Sequence, residues 1–209
     1  LIAATHIFTD SLDRGFTRLF GEIYDGIDVI VEPVNASGEA EGATADGTVP
    51  DNGLDDAQLA MVEGTDGISS AAGTAQTNGV LLSLEGEALG GAQGGFGPPT
   101  LFFNWTGDED FDSATVVDGR EPTADGELVV DVTTAENAGI EVGQEILAGG
   151  VTGTYPFTVV GTVSFGADNN TQGATLVWTT TDSVYQIAGE DTGFASINAK
   201  VAEGEDAEA

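Results

Sequence analysis

Asp118-Gly119-Arg120-Glu121-Pro122, Ala124-Asp125-Gly126-Glu127 and Leu128-Val129-Val130 open the stretch from Val116 to Val163, whose order of turns and strands decides the fold. Thr133-Thr134-Ala135-Glu136-Asn137-Ala138-Gly139-Ile140, Glu141-Val142-Gly143-Gln144-Glu145-Ile146 and Phe157-Thr158-Val159-Val160-Gly161-Thr162-Val163 complete it. Pro122 fixes its own φ and biases Glu121 toward extended backbone, and Gly126 supplies a turn just before a β-branched run, so a tight corner feeding a strand is expected. Thr133 or Thr134 can cap a short helix that ends at Gly139, where a left-handed residue costs least. From Phe157 to Phe165 the odd positions read Phe, Val, Gly, Val, Phe and the even ones Thr, Val, Thr, Ser. That alternation belongs to a half-buried strand.

Taken together, a Gly-Arg-x-Pro corner, Gly-Glu before a strand, a short helix closing on Gly-Ile, Val-Gly-Gln and Phe-Thr-Val-Val-Gly resemble the extracytoplasmic core domain of ABC transporter permeases. The family is the macrolide-exporter and lipoprotein-release type of the FtsX-like superfamily. Thr9 to Phe20 and Tyr24 to Val31 resemble the segment that follows the first membrane helix in that family. The resemblance implies an α+β fold, a porter-like α/β sandwich subdomain carrying an inserted β-rich, sabre-like subdomain. Glycine- and asparagine-rich borders place the insertion at residues 96–173, leaving 1–95 and 174–209 as the discontinuous porter-like part. It further implies a place on the extracytoplasmic side of the cell membrane, between the first and second membrane helices. An ABC ATPase subunit reached through those helices, a second permease copy and an outer partner or substrate are the implied partners. The chain would then transmit motion, with no catalytic, cofactor-binding or metal-binding residues of its own and ATP hydrolysis left to the ATPase subunit.

Composition narrows the function classes independently. With 209 residues and 40% apolar content the chain can bury one good core or two small ones. Asp and Glu number 36 against 4 Lys and Arg, a formal net charge of -32, so a phosphate backbone is repelled and nucleic acid is not a partner. Such a charge opposes folding by self-repulsion unless salt screens it, which points to a salt-adapted source; the Ala, Gly, Thr and Asp bias of a high-GC bacterium is the alternative. There is no Cys, hence no disulfide framework and no thiolate metal site. No apolar run of about 18 residues and no basic leader occurs within these residues.

Along the chain, Phe8, Leu12, Phe16, Leu19, Phe20 and Ile23 recur at spacings of three and four and predict an amphipathic helix over 4–24. Ile27 to Val34 reads as a strand stopping near Pro33, and Asn35 to Gly53 as an acidic surface loop. Leu54 to Glu63 reads as a helix capped by Asp51 or Asn52, ended by Gly64, and burying Leu54, Leu59, Met61 and Val62. Ile68 to Thr77 and Val80 to Leu84 read as strands turned at Asn78-Gly79. Gly90 to Pro99 lacks the Lys and following helix of a phosphate loop and reads as a flexible lead-in to the insertion. Leu101 to Trp105 and Thr175 to Trp178 are expected strands, Thr179 to Thr181 a helix cap with Gly189 as the end. Phe194 to Val201 is expected to return beside the Ile27 strand.

The candidate chemistry is thin. Asp108-Glu109-Asp110-Phe111-Asp112 spaces carboxylates as calcium loops do, yet the sixth and twelfth positions, Ser113 and Gly119, break that pattern. His6 is the only histidine and has no nucleophile-elbow sequence beside it. Asn35, Asn104 and Asn169 stand in glycosylation sequons, a weak signal where Ser and Thr abound. A free-standing secreted or cell-surface acidic binding module is the alternative to the permease reading. On the charge argument, raising KCl from about 0.01 M to about 1 M shortens the Debye length from roughly 30 Å to 3 Å and should raise the thermal unfolding midpoint. A midpoint indifferent to salt, measured by circular dichroism, would remove the self-repulsion argument.

Overall fold

The computed structural model describes residues 27–34, 53–90, 98–166, 171, 173–189 and 192–202. The expected helix over 4–24, nearly all of the acidic loop at 35–53 and most of the glycine-rich run fall outside these residues. The fold is mixed α+β and rich in sheet. A three-stranded sheet has the order β1-β10-β2, from Val29–Val31, Ser196–Val201 and Ile68–Thr74, all antiparallel. The return of the last strand beside the Ile27 segment is therefore observed, with Val31 opposite Ile197.

The second sheet has seven strands: β3 (Gln76–Leu82), β4 (Thr100–Asn104), β5 (Ala114–Gly119), β6 (Glu127–Asp131), β7 (Glu145–Gly150), β8 (Gly153–Phe165) and β9 (Thr175–Thr179). Six of them pair in a closed circuit: β3 with β4, β4 with β9, β9 with β6, β6 with β8, β8 with β7, and β7 with β3. Closure leaves these six without free edges, and β5 alone hangs from the far half of β8. One face of the circuit buries Leu81, Phe102, Leu128, Val130, Ile146, Ala148, Phe157, Val159 and Val177. The opposite face of β4, β6, β8 and β9 buries Leu101, Phe103, Val129, Val163, Phe165, Leu176 and Trp178. This sheet takes β3 from before residue 96 and β9 from after residue 173, on either side of the expected insertion.

Helices close the two ends of the circuit. Helix α2 (Val132–Ala138) follows β6 and adds Ala135 to the inner core, together with Ile140 just beyond its end. Its cap is Asp131, not the expected Thr133 or Thr134. The carboxylate is wholly buried, accepts the Thr134 N–H at 2.8 Å and the Leu176 N–H of β9 at 2.9 Å, and so ties helix to sheet. Burial pushes its pKa above the ordinary carboxylate value. Gly139 ends α2 in the left-handed region, as expected. At the other end, helix α3 (Thr181–Ala188) is capped by Thr180 and ended by left-handed Gly189. It lays Ile187 into the inner core and Val184 against the three-stranded sheet.

Helix α1 (Asp56–Glu63) covers that small sheet with Leu59 and Val62. Asp55 caps it, in place of the expected Asp51 or Asn52, because Gln58 at the third helical position completes a reciprocal capping box. Met61 was expected inside and is 72% exposed, since its position on the helix turns away from Leu59 and Val62. Asn78-Gly79 is not a turn. Both residues lie within β3, and the chain instead passes from one sheet to the other at Ala75. Gly79 is required for close packing: a Cβ there would stand 2.6 Å from the Gly149 carbonyl oxygen and 2.7 Å from the Phe102 ring. Gly79→Ala should therefore lower stability by about 1–3 kcal/mol through overpacking, read as a lower denaturant midpoint at unchanged slope.

Candidate functional site

Two polar assemblies stand out, and the first grows from the stretch that decided the fold. The first is the corner between β5 and β6. Gly119 pairs with Gly161 across β5 and β8. A Cβ on Gly119, whose φ is +78°, would lie 2.2 Å from the Val160 oxygen, and one on Gly161 would lie 2.6 Å from the Arg120 oxygen. The two glycines let the chains cross at a distance no other residue permits, which gives the Gly-Arg and Val-Val-Gly motifs a common physical cause.

Arg120, freed at that crossing, folds back onto Glu127. Nη1 donates to Glu127 Oε2 at 2.7 Å and to the Glu121 carbonyl at 2.9 Å, while Nη2 pairs with Glu127 Oε1. Glu127 also accepts the N–H groups of Thr123 at 3.0 Å and Ala124 at 3.2 Å. The Arg120 guanidinium, with those amides, holds the Glu127 carboxyl well below the usual range, at about 2. A shallow open depression bounded by Val116, Gly119, Arg120, Glu121 and Thr123 lies alongside. The guanidinium is committed to its own corner, so the arrangement staples a turn and does not present a free anion site.

The second assembly joins the sheets. Asn104, at the end of β4 and 7% exposed, accepts the Ala75 N–H at 2.8 Å through Oδ1 and donates through Nδ2 to the Gly73 carbonyl at 2.9 Å. Nδ2 also reaches Thr181 Oγ1, at the start of α3, at 3.3 Å. Next to it, Thr179 Oγ1 donates to the Glu127 carbonyl at 2.6 Å and Thr180 Oγ1 to Asp125 at 2.5 Å. The Gly126 N–H donates to Ser183 Oγ at 3.2 Å. The start of α3 is thus bonded to β4 and to the Asp125 turn, and through Asn104 to the β2–β3 passage.

The remaining sequence candidates are placed as follows. Asp112 accepts the N–H groups of Thr106 at 2.8 Å and Gly107 at 3.0 Å, and Asp108 that of Asp110 at 3.0 Å, so this acidic run builds a turn. Among the described residues no three His, Asp or Glu side chains converge on a point where a metal ion could sit. Asn104 cannot serve as a glycosylation site, because its amide nitrogen is buried and already bonded. His6, Asn35 and Asn169 lie outside the described residues. Sequence reasoning missed the junction role of Asn104, whose partners are 29, 31 and 77 residues away along the chain.

Comparison with known proteins adds the decisive observation. The family described as MacB-like periplasmic core domain matches residues 1–209, the whole chain. The chain belongs to that family. It is a family of transporter permease domains and not a catalytic one. Two solved structures share the fold. The extracellular domain of the noncanonic ABC-type transporter YknZ from Gram-positive bacteria aligns with a TM-score of 0.54 at 13% identity, covering 84% of this chain and 83% of that one. The periplasmic region of MacB from Actinobacillus actinomycetemcomitans aligns with a TM-score of 0.54 at 14% identity, covering 88% and 79%. No curated protein matches the sequence. Among the described residues of this MacB-like core domain, no helix is long and apolar enough to cross a membrane.

The corner makes a pH prediction with a definite sign. A carboxyl whose folded pKa lies at about 2, against an ordinary 4.5, contributes stability that is present above 4.5 and lost as pH falls toward 2. Glu127→Gln should therefore unfold at a lower temperature than the parent at neutral pH, the gap closing between pH 4.5 and 2. A gap that stays constant through that window, followed calorimetrically, would show that the ion pair does not act this way.

Proposed function

We propose that this MacB-like core domain passes ATP-driven motion from membrane helices to an exported substrate or an outer partner. It would sit on the extracytoplasmic side, between the first and second membrane helices of a permease subunit, with an ABC ATPase subunit on the opposite side of the bilayer and a second permease copy beside it. The observation that carries the reading is the whole-chain family match. The geometry supports it physically. A transmitter of force needs few moving joints, and here the chain joins the two sheets at Ala75 and through α3, which packs into both cores.

In this reading the polar assemblies hold shape instead of performing chemistry. Bond-making stays with the ATPase subunit. The -32 charge is an adaptation to a saline exterior, where carboxylates keep water and cations at the surface. In-frame deletion of this domain should abolish export by the permease while its ATPase partner still binds nucleotide. Undiminished export from the deletion strain, measured as substrate efflux, would defeat the proposal. Efflux unaffected by any permease lesion would instead favour an independent acidic binding module.

A further inference from the structure

We infer that Asn104 is a latch that makes the two sheets turn as one body, with its bond to Thr181 extending the lock to α3. Covalently the sheets are joined twice, at Thr74-Ala75-Gln76, where β2 ends and β3 begins without a loop, and from β9 through α3 to β10. The first passage, one residue long, could act as a hinge, because rotation about the φ and ψ of Ala75 would swing one sheet against the other unless α3, the second passage, is held as well. Asn104 removes that freedom. Its carboxamide takes the Ala75 N–H and returns a bond to the Gly73 carbonyl, so it spans the passage from both sides. The Asn104 N–H also donates to the Ala75 carbonyl at 3.1 Å, which leaves both backbone groups of Ala75 bonded to the same residue. No water-accessible route replaces these bonds, since Ala75 is fully buried and Asn104 nearly so.

Two further contacts use the same point. The Ala195 N–H, just before β10, donates to the Thr74 carbonyl at 2.8 Å, and Val184 of α3 packs with Ala75, Phe194 and Ile197. Gly73 allows the approach: a Cβ there would lie 2.5 Å from the Phe194 ring. The latch therefore sits where the last strand, the shared helix and the passage between sheets converge. Its functional consequence rests on the transmission reading: a locked junction delivers displacement of one sheet to the other, and an unlocked one absorbs it.

The test uses the full-length permease in lipid nanodiscs. The 209 residues contain no Cys, so Met61→Cys on α1 and Val151→Cys at the β7–β8 tip, 72% and 83% exposed, offer label sites on either side of the junction. Pulsed dipolar spectroscopy should give one narrow distance distribution for the parent and a broadened one for Asn104→Ala, with amide exchange at Ala75 accelerated about tenfold or more. Thr181→Val, which removes only the arm to α3, keeps the question open to test if Asn104→Ala does not fold; it should broaden the distribution less. A broad distribution in the parent would overturn the latch, as would a distribution still narrow in Asn104→Ala while Ala75 exchange rises. Uncoupled sheets with undiminished export would leave the latch standing and sink the transmission reading, so the two failures are distinct.

Discussion

A strand that serves three neighbours on two faces must turn over somewhere, and β8 does so at Val160. Its first half pairs with β7 and its second with β5, while β6 runs parallel along the middle. The register shifts between Leu128 and Val129, so that Val159 faces Leu128 and Gly161 faces Val129 with Val160 left over. Before the bulge the odd residues Phe157 and Val159 point into the core of the closed circuit. After it, the odd residues Val163 and Phe165 point to the opposite face, beside Trp178. One inserted residue thus lets a single strand fasten two cores together.

The second core depends on that reversal for its largest side chains. Trp178 stacks at tilted geometry between Phe103, with ring centres 5.6 Å apart, and Phe165 at 6.0 Å. Aromatic contacts of this kind contribute about 0.5–1.5 kcal/mol each beyond the area they bury. The same reversal, together with a register shift in β5 that leaves Val117 over, brings Gly161 under Gly119, and the close crossing there releases Arg120 toward Glu127. Core packing, the β5 crossing and the ion-paired corner are therefore consequences of two neighbouring backbone irregularities.

Local signals in the sequence were legible where the physics is local. Gly139 and Gly189 end their helices because a left-handed terminal residue is a property of a few neighbouring peptides, and the Phe157 to Phe165 alternation names a strand without reference to its partners. What needed distant partners was hidden. Asp131 displaces Thr133 as a cap because Leu176, 45 residues on, supplies a second N–H that makes burial of the carboxylate tolerable. Asn78-Gly79 has the composition of a hairpin turn, yet Gly79 is small because Phe102 and Gly149 press on it. Asn104 carries the letters of a glycosylation site, and nothing within ten residues of it discloses that it bridges two sheets. The alternation in β8 was visible, but the bulge that decides which core each residue enters was not, since a register shift exists only relative to a neighbour.

Stiffness and surface charge act in separate places, and the separation follows from dielectric environment. The bonds at Ala75, Gly73 and Asn104 are formed between neutral groups in the interior, where neither salt nor pH alters them. Among the described residues the carboxylates are mostly exposed, where counterions screen them within a few ångströms in strong salt. Shape thereby comes from buried neutral bonds and solubility from exposed charge. Among the described residues Arg120 and Glu127 form an ion pair at the exposed side of the deciding stretch, and the backbone amides of Thr123 and Ala124 brace it so that the corner does not rely on the guanidinium alone.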